Sequence, residues 1–194
     1  MTSSVFSLGN AIRAVLLVGL FGVVFVFVQS CQRPATGLDL YAVESLKKLS
    51  VREAPPLPPT TVFTAADGKT LELEDLRGKI VVLNVWATWC PPCIKEMPSL
   101  DRLQDLRGGA DFEVVTISID RSIDEPAKFF TDNDIRNLDP WHDGSYGIPG
   151  NLRLRGYPTT LIYNAQGREI AVLEGEAEWD SFEALALVDY LRGQ

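Results

Sequence analysis

The stretch VVLNVWATWCPPCIKEM, residues 81–97, decides the fold of this chain. Its first part is a mostly apolar run, which is typical of a strand covered on both faces. The run leads to Cys90 and Cys93, which have C-x-x-C spacing and precede a segment with helical periodicity. Because the N-terminal end of a helix carries partial positive charge, it stabilises the first sulfur as a thiolate. The stretch therefore predicts a reactive dithiol.

Apolar periodicity and turn signals predict alternating strands and helices on both sides of this stretch. Asp67-Gly68 is a strong hairpin signal, and Phe182 falls on the apolar face of the last helix. This order predicts an α/β fold with a central mixed β-sheet flanked by helices. The predicted strands are residues 61–63, 70–73, 80–87, 112–119, 159–163 and 169–173, and the predicted helices are residues 92–107, 122–130 and 180–191.

The N-terminal segment is apolar and has no acidic residue before Asp39. Arg13 and Arg33 flank the run at residues 14–28, which as a helix would reach about 22 Å, against roughly 30 Å for the hydrocarbon core of a bilayer. Counting Ala11 and Ile12, with Arg13 snorkelling, brings the helix close to a full span. We therefore expect an N-terminal membrane anchor helix. The alternatives are a lipoprotein signal with lipidation of Cys31, and a soluble core helix.

These patterns divide the chain into three parts. Residues 1–33 are the signal anchor or lipoprotein signal, residues 34–60 hold an amphipathic helix and the proline-rich linker APPLPP, and residues 61–194 are the main domain. The amphipathic helix is predicted over residues 38–49. Lysine and arginine counts do not settle the orientation, so the expectation that the domain faces outward rests on the signal-like N-terminus. The net charge of −8 argues against nucleic-acid binding.

A C-x-x-C pair by itself also occurs in zinc sites and in static disulfide bridges. A zinc site would need two further ligands, and His142 is the one histidine of the chain. Because no cysteine or second histidine lies near His142, a structural or solvated role is favoured over metal ligation. We predict no bound metal and no cofactor.

Three motifs resemble the TlpA/ResA family of membrane-anchored disulfide reductases, which have the thioredoxin fold. They are WATWCPPC at residues 86–93, KEMP at residues 95–98 and GYPTT at residues 156–160, and EAEW at residues 176–179 resembles the TlpA branch. The resemblance covers about residues 55–192. It implies a thioredoxin-like domain over residues 61–194 and favours the redox interpretation of the cysteines.

The resemblance also implies roles for the site residues. Cys90 would attack a partner disulfide, and Cys93 would resolve the mixed disulfide. Pro158 matches the cis-proline that faces the dithiol, so that the backbone of Tyr157 would pair with an extended partner chain. The residues expected to contact the partner are Trp89, Pro91, Tyr157 and Pro158.

Two features near the dithiol, one in the preceding strand and one at the helix start, differ from the thioredoxin pattern or modify it. Asn84 stands where thioredoxins have a buried aspartate, and Glu96, three residues after Cys93 on the same helix face, is the expected replacement for proton transfer. A solvated glutamate is the alternative for Glu96. Pro91 and Pro92 have no N–H, so fewer donors stabilise a Cys90 thiolate, and a reducing couple is predicted.

The resemblance implies a membrane-tethered thiol:disulfide oxidoreductase that reduces extracytoplasmic protein cysteines. Its clients would belong to the maturation of cytochrome c or of the copper site of cytochrome oxidase, and a transmembrane thiol carrier would supply electrons. A copper-binding chaperone of thioredoxin-like fold is one alternative, although it would need C-x-x-x-C spacing and a committed histidine. A thiol peroxidase is another, although it would use a lone cysteine ahead of a helix.

Overall fold

The computed structural model describes residues 15–19, 37–58 and 60–194. The chain divides after Thr36 into two units, and the second, Gly37–Gln194, contains the strands given below. In the first unit residues 15–19 are helical, whereas the rest of the predicted anchor and Cys31 lie outside the described residues. None of the helices in the described ranges has the length and apolar character that a membrane crossing requires.

The second unit is a mixed eight-stranded sheet with helices packed on it, which confirms the predicted α/β architecture. The strands are β1 (Leu49–Val51), β2 (Val62–Thr64), β3 (Thr70–Glu72), β4 (Ile80–Trp86), β5 (Phe112–Ser118), β6 (Pro140–His142), β7 (Thr159–Tyr163) and β8 (Glu169–Glu174). The helices are α1 (Pro91–Arg107), α2 (Asp124–Asp132), α3 (Ile148–Asn151) and α4 (Phe182–Arg192), and short 3-10 helices occupy Gly37–Tyr41, Glu44–Leu46 and Leu73–Leu76. The spatial order of the strands is β1-β8-β7-β4-β5-β6-β2-β3.

The central strand β4 leads directly to the dithiol. Its seven residues are all buried, as its apolar run predicts. It pairs parallel with β5 and antiparallel with β7. β4 therefore ends, after Trp86, at the same end of the sheet at which β7 begins, at Thr159. This pairing brings the cysteine loop and the GYPTT loop together.

The two predicted hairpins are confirmed. β2 and β3 pair antiparallel around Gly68, whose φ of 84° lies in a region that glycine adopts without steric cost. β7 and β8 also pair antiparallel, with an irregularity in register between Ile162 and Tyr163. β8 in turn pairs with β1, which forms one edge of the sheet.

The closing helix α4 buries one face, as its apolar periodicity predicts, but that face does not include Phe182. Its buried side chains are Ala184, Leu187, Val188 and Leu191. Phe182, which was expected on the apolar face, is 86% exposed, so this prediction is wrong. Phe182 lies two residues before Ala184, and side chains two residues apart do not share a helix face.

The predicted amphipathic helix over residues 38–49 is also wrong. The segment forms two short 3-10 helices and the first residue of β1, which pairs with β8. Glu44 has a left-handed φ of 45°, which interrupts a regular helical path. The N–H and the hydroxyl of Ser45 donate to Glu183 of α4, at 3.1 and 2.9 Å. Contacts with α4 and β8 therefore replace the local helix that the periodicity predicted.

The proline-rich segment lies against the sheet. Its described residues, 54–58, form neither helix nor strand, in agreement with the sequence. The carbonyl of Pro56 accepts a hydrogen bond from the N–H of Glu169 at 3.1 Å, and the carbonyl of Pro55 accepts one from the Arg168 side chain at 3.1 Å. These contacts attach the segment to the start of β8.

Candidate active site

Cys90 and Cys93 form a disulfide at the N-terminal end of α1. Their sulfurs are 2.08 Å apart and their Cα atoms 5.3 Å apart. Cys90 is the N-cap residue of α1, and the exposed Pro91 is the first helical residue. The helix dipole can therefore stabilise a Cys90 thiolate once the bond is reduced. The structure brings the two predicted redox residues together in their oxidised form.

Both cysteine side chains are shielded in this oxidised form. Cys90 is only 4% exposed, and Cys93 is fully buried. The neighbouring Trp89 is 59% exposed, and its ring meets the ring of Tyr157 edge-on with 6.1 Å between centroids. These two rings form a rim beside the disulfide. The exposed Trp89 ring therefore lies next to Cys90 in the chain, on surface that a partner protein can contact.

The loop before β7 supplies the other wall of the site. The Tyr157-Pro158 peptide is cis, as predicted. Pro158 is buried, and its carbonyl accepts a hydrogen bond from the N–H of Gly175 at 2.8 Å. Among the described residues, the backbone N–H and C=O of Tyr157 have no hydrogen-bond partner. These two groups are available to an extended polypeptide.

Glu96 is a buried acid on α1, one helical turn beyond Cys93. It is 2% exposed, so the solvated alternative is wrong. Its Oε1 accepts from Nδ2 of Asn84 at 2.7 Å, and its Oε2 accepts from the N–H of Ala177 at 3.0 Å and from Nε1 of Trp179 at 3.2 Å. Burial raises the pKa of Glu96 to about 7, although the three donors act in the opposite direction. The carboxyl can therefore exchange a proton near neutral pH.

Asn84 connects Glu96 to β7. Its Nδ2 also donates to Oγ1 of Thr160 at 2.9 Å, whereas its Oδ1 has no hydrogen-bond partner among the described residues. A protonated Glu96 is a donor and needs an acceptor, and a half-turn of the Asn84 amide would present Oδ1 to it. Asn84 does not titrate, so proton exchange in this group of side chains falls to Glu96.

Asp120 anchors the loop that carries the cysteines. Both of its carboxylate oxygens accept from the N–H of Thr88 at 3.1 Å, and one accepts from the Thr88 hydroxyl at 2.8 Å. Ser118 also donates to the carboxylate, at 2.6 Å. His142 of β6 is buried, and its Nε2 lies 2.8 Å from the backbone oxygen of Asp120. His142 therefore has a structural partner at the end of β5.

Three residues of the site were missed at the level of sequence. Thr160 and Trp179 lie within the GYPTT and EAEW stretches, so the motifs point to these positions but not to their hydrogen-bond partners. Asp120 follows a buried strand, where a carboxylate must find hydrogen-bond donors. That signal could have pointed to Asp120, but the donor residue, Thr88, is 32 positions away in the chain.

The family model described as Redoxin matches residues 53–178. The chain belongs to the Redoxin family. Two relatives from Bacillus subtilis (strain 168) resemble this Redoxin-family protein over most of its length. The thioredoxin-like protein YneN is 30% identical over 139 residues, which are 68% of this chain and 77% of YneN. The thiol-disulfide oxidoreductase ResA is 29% identical over 141 residues, which are 73% of this chain and 78% of ResA.

Two solved structures also resemble this chain. The exposed lipoprotein thioredoxin Etrx1 from Streptococcus pneumoniae strain TIGR4 has a TM-score of 0.57 and 28% identity, over 70% of this chain and 100% of Etrx1. A secreted thiol-disulfide isomerase from Corynebacterium glutamicum has a TM-score of 0.60 and 25% identity, over 73% of this chain and 92% of the isomerase. Together with the Cys90–Cys93 disulfide, these findings confirm a ResA-like thiol:disulfide oxidoreductase with a thioredoxin-like fold.

Proposed function

We propose that this protein is a membrane-tethered reductant of disulfides in extracytoplasmic client proteins. The observation that carries the proposal is the Cys90–Cys93 disulfide at the start of α1, beside the Trp89–Tyr157 rim. A disulfide between its two cysteines is the form that a reductase reaches each time it has reduced a client disulfide. The similarity to ResA and YneN supports the same chemistry.

The exchange starts from the reduced protein. The Cys90 thiolate attacks one sulfur of the client disulfide, the client S–S bond breaks, and the displaced client thiolate takes up a proton. The Cys93 thiol then loses its proton and attacks Sγ of Cys90, which releases the second client thiolate. Two electrons have passed to the client, and the protein carries the Cys90–Cys93 disulfide.

We propose that Glu96 accepts the proton that the Cys93 thiol loses. Cys93 is fully buried, so water does not reach it directly. Glu96 lies one helical turn farther along α1, and a carboxyl with a pKa of about 7 can accept a proton at neutral pH and return it. Asn84 supports this role because its amide offers a donor to the carboxylate and an acceptor to the protonated acid.

We assign client positioning to the rim and to the loop before β7. Trp89 and Pro91 are exposed beside the disulfide, and the unpaired backbone groups of Tyr157 lie next to cis-Pro158. An extended client segment would exchange hydrogen bonds with the Tyr157 backbone, as a strand added to a sheet edge does. This pairing would direct the client sulfur toward Cys90.

We place the catalytic domain on the extracytoplasmic side of a bacterial inner membrane. The apolar run at residues 14–28 supports a single N-terminal anchor, with lipidation of Cys31 as the alternative. A transmembrane thiol reductant would return electrons to the dithiol, which carries both electrons without a further cofactor. The clients we propose are proteins of cytochrome c or cytochrome oxidase copper-site maturation.

Trapping with Cys93→Ser tests this proposal. Serine cannot resolve the mixed disulfide, so the full-chain variant should accumulate client proteins bound to Cys90 that a small thiol releases. Cys90→Ser is the matched control and should accumulate far less. Equal yields from the two variants would contradict the assigned order of attack. A copper chaperone would instead bind Cu(I) through both thiols and leave the disulfides of insulin unreduced.

A further inference from the structure

A groove of about 1000 Å³ lies beside β1 and β8. Its volume is at the upper end of the range for ligand pockets, which is about 300–1000 Å³. We call it the basic groove, since four cationic and two acidic side chains line it together with apolar ones. Its lining includes Lys48, Arg52, Leu152, Arg153, Arg155 and Val172.

The cations of the basic groove are incompletely neutralised. Among the residues that the structure describes, Lys48 and Arg153 form no ion pair. Arg52 forms an ion pair with Glu169 at 2.6 Å. Arg155 has only a long contact, of 4.0 Å, to Glu174 of β8. The groove therefore carries excess positive charge in a chain whose net charge is −8. A concave surface of one charge sign concentrates ligands of the opposite sign.

The basic groove begins next to the loop that faces the dithiol. Arg155 precedes Tyr157 by two residues. Glu174, which also lines the groove, is the register partner of Thr159 at the start of β7. From there the groove follows β8 to the edge strand β1. A polypeptide paired with the Tyr157 backbone can therefore continue into the groove.

We propose that the basic groove binds an acidic, extended segment of the client polypeptide, next to the client's target cysteine. This inference rests on the proposed function, because the client must present its disulfide at the Trp89–Tyr157 rim. Lys48 and Arg153 select aspartate and glutamate side chains of the segment. Val172, which also lines the groove, contributes apolar contact.

The shape of the basic groove favours a polypeptide over a lipid surface. Pro56 and Leu57 contribute to its lining from the proline-rich segment, and Asn151 contributes to it from the end of α3. A bilayer surface is broad and cannot enter a space between such segments. An extended chain can enter it and still reach the disulfide.

Two disulfide peptides test the inference. Each carries one cysteine blocked with neutral thiopyridine, followed by a run of aspartates in the first peptide and of asparagines in the second. The reduced full-chain protein should react with the acidic peptide about fivefold faster at low ionic strength. The ratio should fall toward one as salt is added, since salt screens exposed charges.

Charge variants locate the effect. Lys48→Gln combined with Arg153→Gln should lower the ratio of rates to about one even at low salt. The matched control is Lys128→Gln combined with Arg136→Gln, which removes the same charge from exposed side chains of α2 and of the loop after it. This control should keep the fivefold ratio. Lys48→Arg with Arg153→Lys keeps the charge and should keep the ratio as well.

The outcomes separate the two proposals. Equal rates for both peptides in the wild-type protein would overturn the groove and leave the reductase function in place. No reaction with either peptide would overturn the reductase function itself. An unchanged ratio in the Lys48→Gln, Arg153→Gln variant, with lost binding to anionic phospholipid vesicles, would overturn the polypeptide assignment in favour of a membrane surface.

Discussion

At the scale of the residue, Glu96 makes stability depend on pH. Burial raises its pKa to about 7 from the ordinary value of 4.5. In the unfolded chain the carboxyl loses its proton near the ordinary value, so between these limits the folded state binds more protons than the unfolded state. The contribution of Glu96 to stability is therefore full below about pH 4.5 and is lost as the pH rises to about 7.

Replacing Glu96 by Gln should remove this pH dependence. Glutamine can still accept from Trp179, and the Asn84 amide can turn to accept from the new NH₂ group. Relative to the variant, the wild-type free energy of unfolding should fall by roughly 3 kcal/mol between about pH 4.5 and about pH 7.5. Urea unfolding of both oxidised proteins at several pH values measures this difference.

The control for this experiment is Glu74→Gln, since the Glu74 side chain is 68% exposed. Its stability curve should run parallel to that of the wild type. If the Glu96→Gln curve also ran parallel to the wild type, Glu96 would titrate alike in the folded and unfolded states. The proton role proposed for Glu96 would then lose its basis.

At the scale of the element, the start of α1 sets how reducing the couple is. Cys90 is the N-cap, followed by Pro91 and Pro92. An N-cap side chain normally accepts from the N–H of the second or third helical residue. Pro92, at the second position, has no N–H, which leaves the N–H of Cys93 for a Cys90 thiolate. A less stabilised thiolate makes the couple more reducing.

Pro92→Ala should therefore raise the reduction potential. A hydrogen bond to a charged group contributes about 1.5–3 kcal/mol, which corresponds to roughly 30–60 mV for two electrons. Equilibration with a thiol–disulfide buffer of known potential measures the shift. Pro98→Ala, in the interior of the same helix, is the control and should leave the potential within about 10 mV of the wild type. An unchanged potential in Pro92→Ala would contradict the argument.

The elements that could be predicted are those with local signals. β4 and α1 follow from an apolar run and from helical periodicity around Cys90. The hairpins follow from turn residues such as Gly68, because the positive φ that the turn requires is set by the turn itself. The redox pair followed from its spacing and its sequence context. In each case the deciding interactions lie within a few residues of one another.

The elements that were mispredicted depend on distant partners. β1 exists because β8 pairs with it, and Ser45 bonds to α4 instead of continuing a helix. Asp120 is satisfied by Thr88, and Glu96 by Trp179, which lies 83 positions away. The low exposure of Cys90 likewise depends on the tertiary structure around it. Single-sequence periodicity carries no information about such contacts.

At the scale of the whole molecule, the folding unit extends beyond the predicted domain start at residue 61. Leu46 is fully buried and Leu49 is 7% exposed. β1 covers an edge of β8, and the Ser45 hydroxyl donates to Glu183 of α4. A chain without residues 37–52 would lose these contacts and expose the β8 edge, where other chains could pair.

A chain that starts at Gly37 should therefore be more stable than one that starts at Glu53. Burial of each leucine contributes about 1.5–3 kcal/mol, so the difference in unfolding free energy should be about 4 kcal/mol. Because domains have total stabilities of about 5–15 kcal/mol, the shorter chain should lie close to its unfolding threshold. Urea unfolding compares the two, and Leu46→Ala in the longer chain should alone cost about 2–5 kcal/mol. Equal stabilities would mean that β1 and the 3-10 helices before it are dispensable, and that the domain needs no residue before Glu53.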